Sequence, residues 1–132
     1  MSFTFKPDYE QTRQRIEAFW NREPADRPVA VFHLAKPADE QVLLPTPHHR
    51  DAQERWLDTQ YQAEYALARL QNQLFLGDTL PIAWPNLGPE IFSVLYGCPL
   101  HFGDYGTSWT DPILHDWEQE KQVQLDWNSP YL

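Results

Sequence analysis

The residues best suited to chemistry are concentrated in one stretch of the chain, residues 77–112. All five glycines of the chain lie in this stretch, and glycine allows a close approach of the backbone to a ligand. We expect one wall of a small-molecule site here, although turn residues and core aromatic residues would give the same composition. Polar and aromatic side chains alternate along it, namely Asp78, Asn86, Glu90, His101, Asp104 and Asp111 among Trp84, Tyr96, Tyr105 and Trp109.

Trp84 and Asn86 follow an apolar run that predicts a strand over residues 80–84. Parallel α/β folds bind their ligands at the carboxyl ends of strands, so both side chains are candidates for substrate binding. His33 lies in a second apolar run, residues 29–34. It is either a hydrogen-bonded core histidine or a group that points into the same site.

Other combinations of residues carry weaker signals. Asp104 and Asp111 could serve as acid and base, but the solvation of a loop is the favoured explanation of this pair. The histidines, including the pair His48-His49, show no spacing typical of a metal site, so no metal is predicted. The sequence contains no phosphate loop, dinucleotide fingerprint or hydrolase nucleophile motif, and its single cysteine, Cys98, excludes an intramolecular disulfide.

The composition argues against several classes of partner. The 132 residues include 10 Lys and Arg against 19 Asp and Glu, and this net charge of -9 disfavours nucleic acid and anionic membranes. Hydrophobic residues make up 42% of the chain and aromatic residues 14%, which favours a folded domain over a disordered chain. No apolar stretch approaches the roughly 20 residues of a membrane helix, and no signal peptide is recognisable, so we expect a cytoplasmic protein.

Alternating helix and strand patterns surround the candidate residues and must position them. Continuous apolar character over residues 29–34 predicts a strand covered on both faces. The alternation of the two kinds of element predicts an α/β fold. Helices are predicted over residues 8–22, from Asp51 towards Gly77, between Gly88 and Gly97 and over 115–124, with strands over 29–34 and 80–84.

Several short motifs resemble the uroporphyrinogen decarboxylase-like family. GDTLP at 77–81 resembles the S-D-I-L step that opens the second barrel strand of that family, and LYGCPL at 95–100 resembles its A-L-G-M-x-V helix end. TSWTDPI at 107–113, with Asp116 and Trp117, resembles the stretch G-P-x-F-x-x-P-I-x-x-x-x-D-L. FWNR and DRPV within residues 19–29 resemble the start of the uncharacterised decarboxylase-like relatives.

The resemblance implies a (β/α)8 barrel of the TIM type, shared with cobalamin-independent methionine synthase and corrinoid methyltransferases. Residues 1–27 would form a helical extension and residues 28–132 the first βα units of an incomplete barrel. By position, Asp78 matches the decarboxylase aspartate that accepts hydrogen bonds from the pyrrole nitrogens, so it is the predicted catalytic residue. His33, Trp84, Asn86 and Trp109 are the predicted substrate-binding residues.

The chain departs from the family at the loop that should carry the R-Q-A-G-R motif. FHLAKP at 32–37 stands there, with Lys36 as its one cation. A polyacidic porphyrinogen requires arginines for its carboxylates, so a different substrate is expected. A decarboxylase needs no cofactor, whereas the methyltransferase branch implies a corrinoid partner.

Length bears on both interpretations. A (β/α)8 barrel typically needs about 250 residues, so we expect either the first third of a larger enzyme or a small protein that kept this piece as a single domain. Such a piece would require the remainder of the barrel, or a homo-oligomer, and would be inactive alone. The alternative is a non-catalytic, carbohydrate-type binding module in which Trp84 and Trp109 stack on the ligand.

Overall fold

The computed structural model describes residues 3–84, 87–103, 106–116, 118 and 123–131. Over these residues the fold is mixed α/β, with four α-helices and two small antiparallel sheets. The chain divides into two compact units, of which unit 1 holds residues 1–46 and 63–84 and unit 2 holds residues 47–62 and 85–132. The elements are α1 Tyr9–Asn21, β1 Leu34–Ala35, a 3-10 turn Ala38–Glu40, α2 Ala52–Leu57, α3 Thr59–Gln71, β2 Gln73–Leu74, α4 Ile91–Val94, β3 Leu100–Phe102 and β4 Ser108–Thr110.

Helix α1 confirms the predicted first helix. Its C-terminus is closed by Arg22 in the left-handed conformation, with φ 59°. The Arg22 amide donates to the Phe19 carbonyl and the Glu23 amide to the Ala18 carbonyl, which is the Schellman pattern of helix termination. Asp8 makes no side-chain capping bond to α1. It pairs instead with Lys6, at 3.0 Å.

The two predicted strands are mostly absent as regular elements. Of the first run, 29–34, only Leu34 lies in a strand, since β1 (Leu34–Ala35) begins there and pairs antiparallel with β2. A further isolated bridge joins Val31 and Gly77. Residues 31–35 are exposed, so the expected burial on both faces is wrong. Residues 80–84 form no strand, because Pro81 has no amide proton and the Ile82 amide donates locally to the Leu80 carbonyl.

The predicted long second helix is two helices. Helix α2 begins where expected, since the Asp51 carboxylate accepts the Glu54 amide at 2.8 Å. Asp58 interrupts the helical run with an extended backbone, and its Oδ1 accepts the Tyr61 amide at 2.9 Å. A local side-chain cap therefore starts α3 at the point where the apolar periodicity gave no sign of a break.

Unit 2 contains the β3–β4 hairpin, in which His101 lies opposite Trp109. Gly88, with φ 104°, lies against Ser108 so closely that a Cβ atom would overlap the serine hydroxyl. Helix α4 covers only part of the helix predicted between Gly88 and Gly97. Half of the final predicted helix, 115–124, lies outside the described residues, namely 117 and 119–122.

Few apolar side chains are buried in the part of the chain that the structure describes. Those of Tyr61, Ala68 and Val94 are, whereas Leu43 is 94% exposed and Trp84 is 81% exposed. The most deeply buried large side chains are instead polar or charged, namely Lys6, Thr12 and Asp78. None of the described helices has the length and apolar character needed to cross a membrane.

Candidate functional site: the buried Asp78 centre

Asp78 sits where two distant segments of unit 1 meet. The residue before it, Gly77, has φ 62°, and a Cβ atom there would lie 2.5 Å from the Ala30 carbonyl oxygen. This close approach lets the Asp78 amide donate to the Ala30 carbonyl at 2.7 Å, while the Ala30 amide donates to Asp78 Oδ2 at 2.9 Å. The glycine therefore permits the contact that fixes the aspartate against residues 27–30.

Two guanidinium groups share the Asp78 carboxylate. Arg27 binds it through both terminal nitrogens, at 2.6 Å to Oδ2 and 3.1 Å to Oδ1. Arg15, on α1, donates to Oδ1 at 3.2 Å and binds Asp26 with its other nitrogens at 2.8 and 3.0 Å. The result is a chain of alternating charges from Asp26 through Arg15 and Asp78 to Arg27, here named the Asp78 centre.

The electrostatics of the centre keep Asp78 ionised. Burial by itself would raise the pKa of this carboxyl, because the Asp78 side chain has no exposed surface. Hydrogen bonds from Arg27, the Ala30 amide and Arg15 outweigh that effect and lower the pKa from an ordinary 3.8 to about 2. Arg15 likewise holds the pKa of Asp26 below its usual range, against a smaller opposing effect of burial.

Lys6 fixes the loop before Asp78 from the other side. Its side chain is only 1% exposed, and its Nζ donates to the carbonyls of Gly77 at 2.6 Å and Phe75 at 3.1 Å. These carbonyls lie at a chain turn with no strand partner for Phe75, so a buried ammonium satisfies them. The backbone that carries Asp78 is thereby attached to the N-terminal segment.

An open groove of about 380 Å³ borders the Asp78 centre. Arg15 and Arg27 belong both to this centre and to the lining of the groove. Guanidinium groups bind carboxylates and phosphates through paired hydrogen bonds. The groove is lined by Arg15, Phe19, Glu23, Ala25, Asp26, Arg27, Pro28 and Val29.

The four hydrogen bonds on the Asp78 side-chain oxygens use the acceptor sites that a carboxylate offers. A substrate N–H group would have to displace an arginine to reach this carboxylate. In this state the geometry therefore suits Asp78 to holding Arg15 and Arg27 in place. A direct catalytic role for Asp78 stays a prediction.

The hydrogen bonds on the Asp78 carboxylate involve neither His33 nor Trp84. His33 is exposed on the segment leading into β1, and Trp84 is 81% exposed. Asn86 lies outside the described residues. Trp109 belongs to unit 2, where its ring stacks on His101 with centroids 5.6 Å apart.

Sequence reasoning did not single out Arg15, Arg27 or Lys6. Arg27 lies within the DRPV motif of the resemblance, which was a usable signal. Arg15 lies among apolar positions of α1, where a charge that is only 14% exposed requires a partner. That partner, Asp78, is 63 residues away, beyond the reach of any local pattern.

Comparisons of the chain with models of protein families, with curated proteins and with solved structures found no match in any of the three. The resemblance to uroporphyrinogen decarboxylases therefore depends on the short motifs within residues 19–29, 77–81, 95–100 and 107–117.

Proposed function

We propose that this chain forms the N-terminal part of a cytoplasmic, uroporphyrinogen decarboxylase-like enzyme whose Asp78 centre helps to bind a small carboxylated substrate. One observation carries the proposal. The aspartate that the resemblance assigns to substrate binding is buried, ionised and joined to two arginines that line an open groove. Asp78 acts in this proposal as a positioning residue for Arg15 and Arg27.

In this proposal, Arg15 and Arg27 replace the arginines that the family pattern would place in the loop at residues 32–37. The loop at residues 32–37 lacks the family's arginines, and a carboxylated substrate still needs cationic, bidentate donors. Arg15 and Arg27 offer such donors from α1 and from the segment after it. The proposal covers the decarboxylase branch, which needs no cofactor, and the methyltransferase branch, in which a corrinoid partner takes part.

Exposed apolar side chains support the need for further protein surface. Leu43, Trp84 and Ile82 of unit 1 are 94%, 81% and 65% exposed, so each leaves apolar surface that contact with other protein would bury. The proposal assigns these side chains to contacts with the remainder of a (β/α)8 barrel or with a second copy of the chain.

Matched arginine variants test the proposal in the product of the complete reading frame. Arg13, Arg15 and Arg27 carry the same charge, but the ion pairs of Arg13 with described residues are those with Glu10 and Glu17, on the exposed face of α1. We expect R15Q and R27Q each to weaken the binding of carboxylated pyrroles more than tenfold. Each variant loses a guanidinium contact to the substrate carboxylate, and a hydrogen bond to a charged group is worth about 1.5–3 kcal/mol. R13Q should bind like the parent.

Isothermal titration calorimetry with a panel of mono- to polycarboxylated pyrroles gives the affinities, and circular dichroism confirms folding of each variant. Equal affinities for R13Q, R15Q and R27Q would refute the role of the Asp78 centre. If the parent binds no member of the panel, the proposed substrate class is wrong.

A second function, carbohydrate binding, is favoured by the outer face of the β3–β4 hairpin. Trp109 is 48% exposed and stacks on His101, and His101 Nε2 lies 2.8 Å from an Asp111 carboxylate oxygen. An aromatic face beside hydrogen-bonding groups suits a sugar ring. Under this alternative, oligosaccharides change the tryptophan fluorescence of the parent and of W127A, whose replaced side chain is 78% exposed, but not of W109A. No response of the parent to a broad panel would exclude the alternative.

A further inference from the structure

A cluster of metal-ligating side chains lies in unit 2, apart from the groups used in the proposed function. His48, His49 and Asp58 each offer one ligand atom, and these atoms all lie within 4.8 Å of one another. Among the described residues, this is the set of three or more histidine, cysteine or acidic side chains with that geometry. No metal-binding motif was recognisable in the sequence, because helix α2 lies between the two histidines and Asp58.

The closest pair in the cluster already has the spacing of metal ligands. His49 Nε2 lies 3.0 Å from Asp58 Oδ2. Two ligands bound to one ion at about 2.0–2.2 Å are separated by roughly 3 to 3.4 Å, depending on the bond angle. His48 is exposed, and its ring stacks on that of His49 with centroids 4.4 Å apart. Its ligand atom lies within 4.8 Å of the other two, so this exposed side chain has to move closer for all three to share one ion.

One buried nitrogen of the cluster has no partner. The His49 side chain is 3% exposed, and its Nδ1 accepts or donates no hydrogen bond in the structure. Buried polar atoms are nearly always paired, and exceptions occur where an ion or water completes the set. A neutral imidazole with its proton on Nδ1 keeps the lone pair of Nε2 available, which is the tautomer that a metal bound between Nε2 and Asp58 Oδ2 requires.

Asp58 is fixed by one carboxylate oxygen, which leaves the other oxygen available as a metal ligand. Its Oδ1 caps α3 by accepting the Tyr61 amide, while Oδ2 faces His49. The neighbouring cation, Arg50, is paired with Glu54 on α2.

We propose that His48, His49 and Asp58 bind one divalent transition-metal cation, of which Zn²⁺ is the best match. Imidazole nitrogen and carboxylate oxygen are ligands that Zn²⁺ accepts, and three protein ligands leave a fourth position open to water or another group. This site is independent of the Asp78 centre, because it uses only residues 48–58 and its ligand is a cation.

Zn²⁺ binding to the metal-free, untagged full chain tests the site by isothermal titration calorimetry. We expect one ion per chain, with affinity reduced more than tenfold in H48Q and in D58N. The exposed position of His48 leaves the fold intact in H48Q, and asparagine keeps the oxygen that caps α3 in D58N. H33Q, which removes an exposed histidine elsewhere, is the control and should bind like the parent.

Absence of Zn²⁺ binding by the parent would overturn the proposal, as would an H48Q protein that binds like the parent. Weakening in H48Q without weakening in D58N would remove Asp58 from the site and so overturn the three-residue arrangement. Thermal unfolding monitored with and without Zn²⁺ provides a second readout, because a ligand that binds only the folded state raises its stability.

Discussion

At the scale of single residues, Asp78 is the buried charge of unit 1 whose loss should most affect the stability of the fold. Its carboxylate has no exposed surface and is compensated by two guanidinium groups and a backbone amide. Asp26 bonds to the same Arg15, but its side chain is 62% exposed. Removal of one partner from a buried pair strands the other charge, whereas exposed pairs contribute little. The two aspartates should therefore differ sharply in their effect on stability.

We expect D78N to lower the free energy of unfolding at pH 7 by about 3 kcal/mol or more, and D26N to lower it far less, because exposed ion pairs contribute little. The folded-state pKa of Asp78, about 2, lies below the ordinary 3.8. Its contribution is therefore present above about pH 4 and lost as the pH falls towards 2. Denaturant unfolding between pH 7 and pH 2 checks both expectations, and equal losses for D78N and D26N would contradict them. If D78N does not fold, the stability of R27Q is compared with that of D26N instead, because R27Q removes the bidentate partner of the buried Asp78 carboxylate.

At the scale of elements, the C-terminus of α1 holds a side chain in a conformation that glycine adopts more easily. Arg22 has φ 59°, a conformation that costs an L-residue about 1 kcal/mol. Glycine at this position would remove that cost, but glycine also loses more conformational freedom on folding, which cancels part of the gain. We expect R22G to raise the free energy of unfolding by about 0.5 kcal/mol, and R22A, which keeps the Cβ atom, to give no gain. Denaturant unfolding of both variants measures the difference; an R22G protein less stable than R22A would show that the arginine side chain makes a compensating contact.

At the scale of the whole molecule, the sequence was informative where local chemistry decides the structure. The mixed α/β class, α1 and the Asp51 cap were predicted correctly, since each depends on neighbouring residues. The break at Asp58 was missed because one side-chain cap outweighed a continuous apolar stripe. The strand over 80–84 was wrong because Pro81 and a local bond of Ile82 remove it from pairing. Asp78 was found through a resemblance, but its arginines were not, because those contacts span 51 and 63 residues.

The same sequence separations imply that the contacts around Asp78 form after the local structure of unit 1. Arg15 and Arg27 precede Asp78 along the chain by 63 and 51 residues, and Lys6 precedes Gly77 by 71. Contacts that close such long loops form late, because loop entropy is lost before any bond is gained. During synthesis α1 therefore emerges long before its buried counter-charge exists. The chain must be synthesised past residue 78 before its N-terminal segment can form these long-range contacts. Until then Arg15 and Arg27 lack the Asp78 carboxylate, and Lys6 lacks the Phe75 and Gly77 carbonyls.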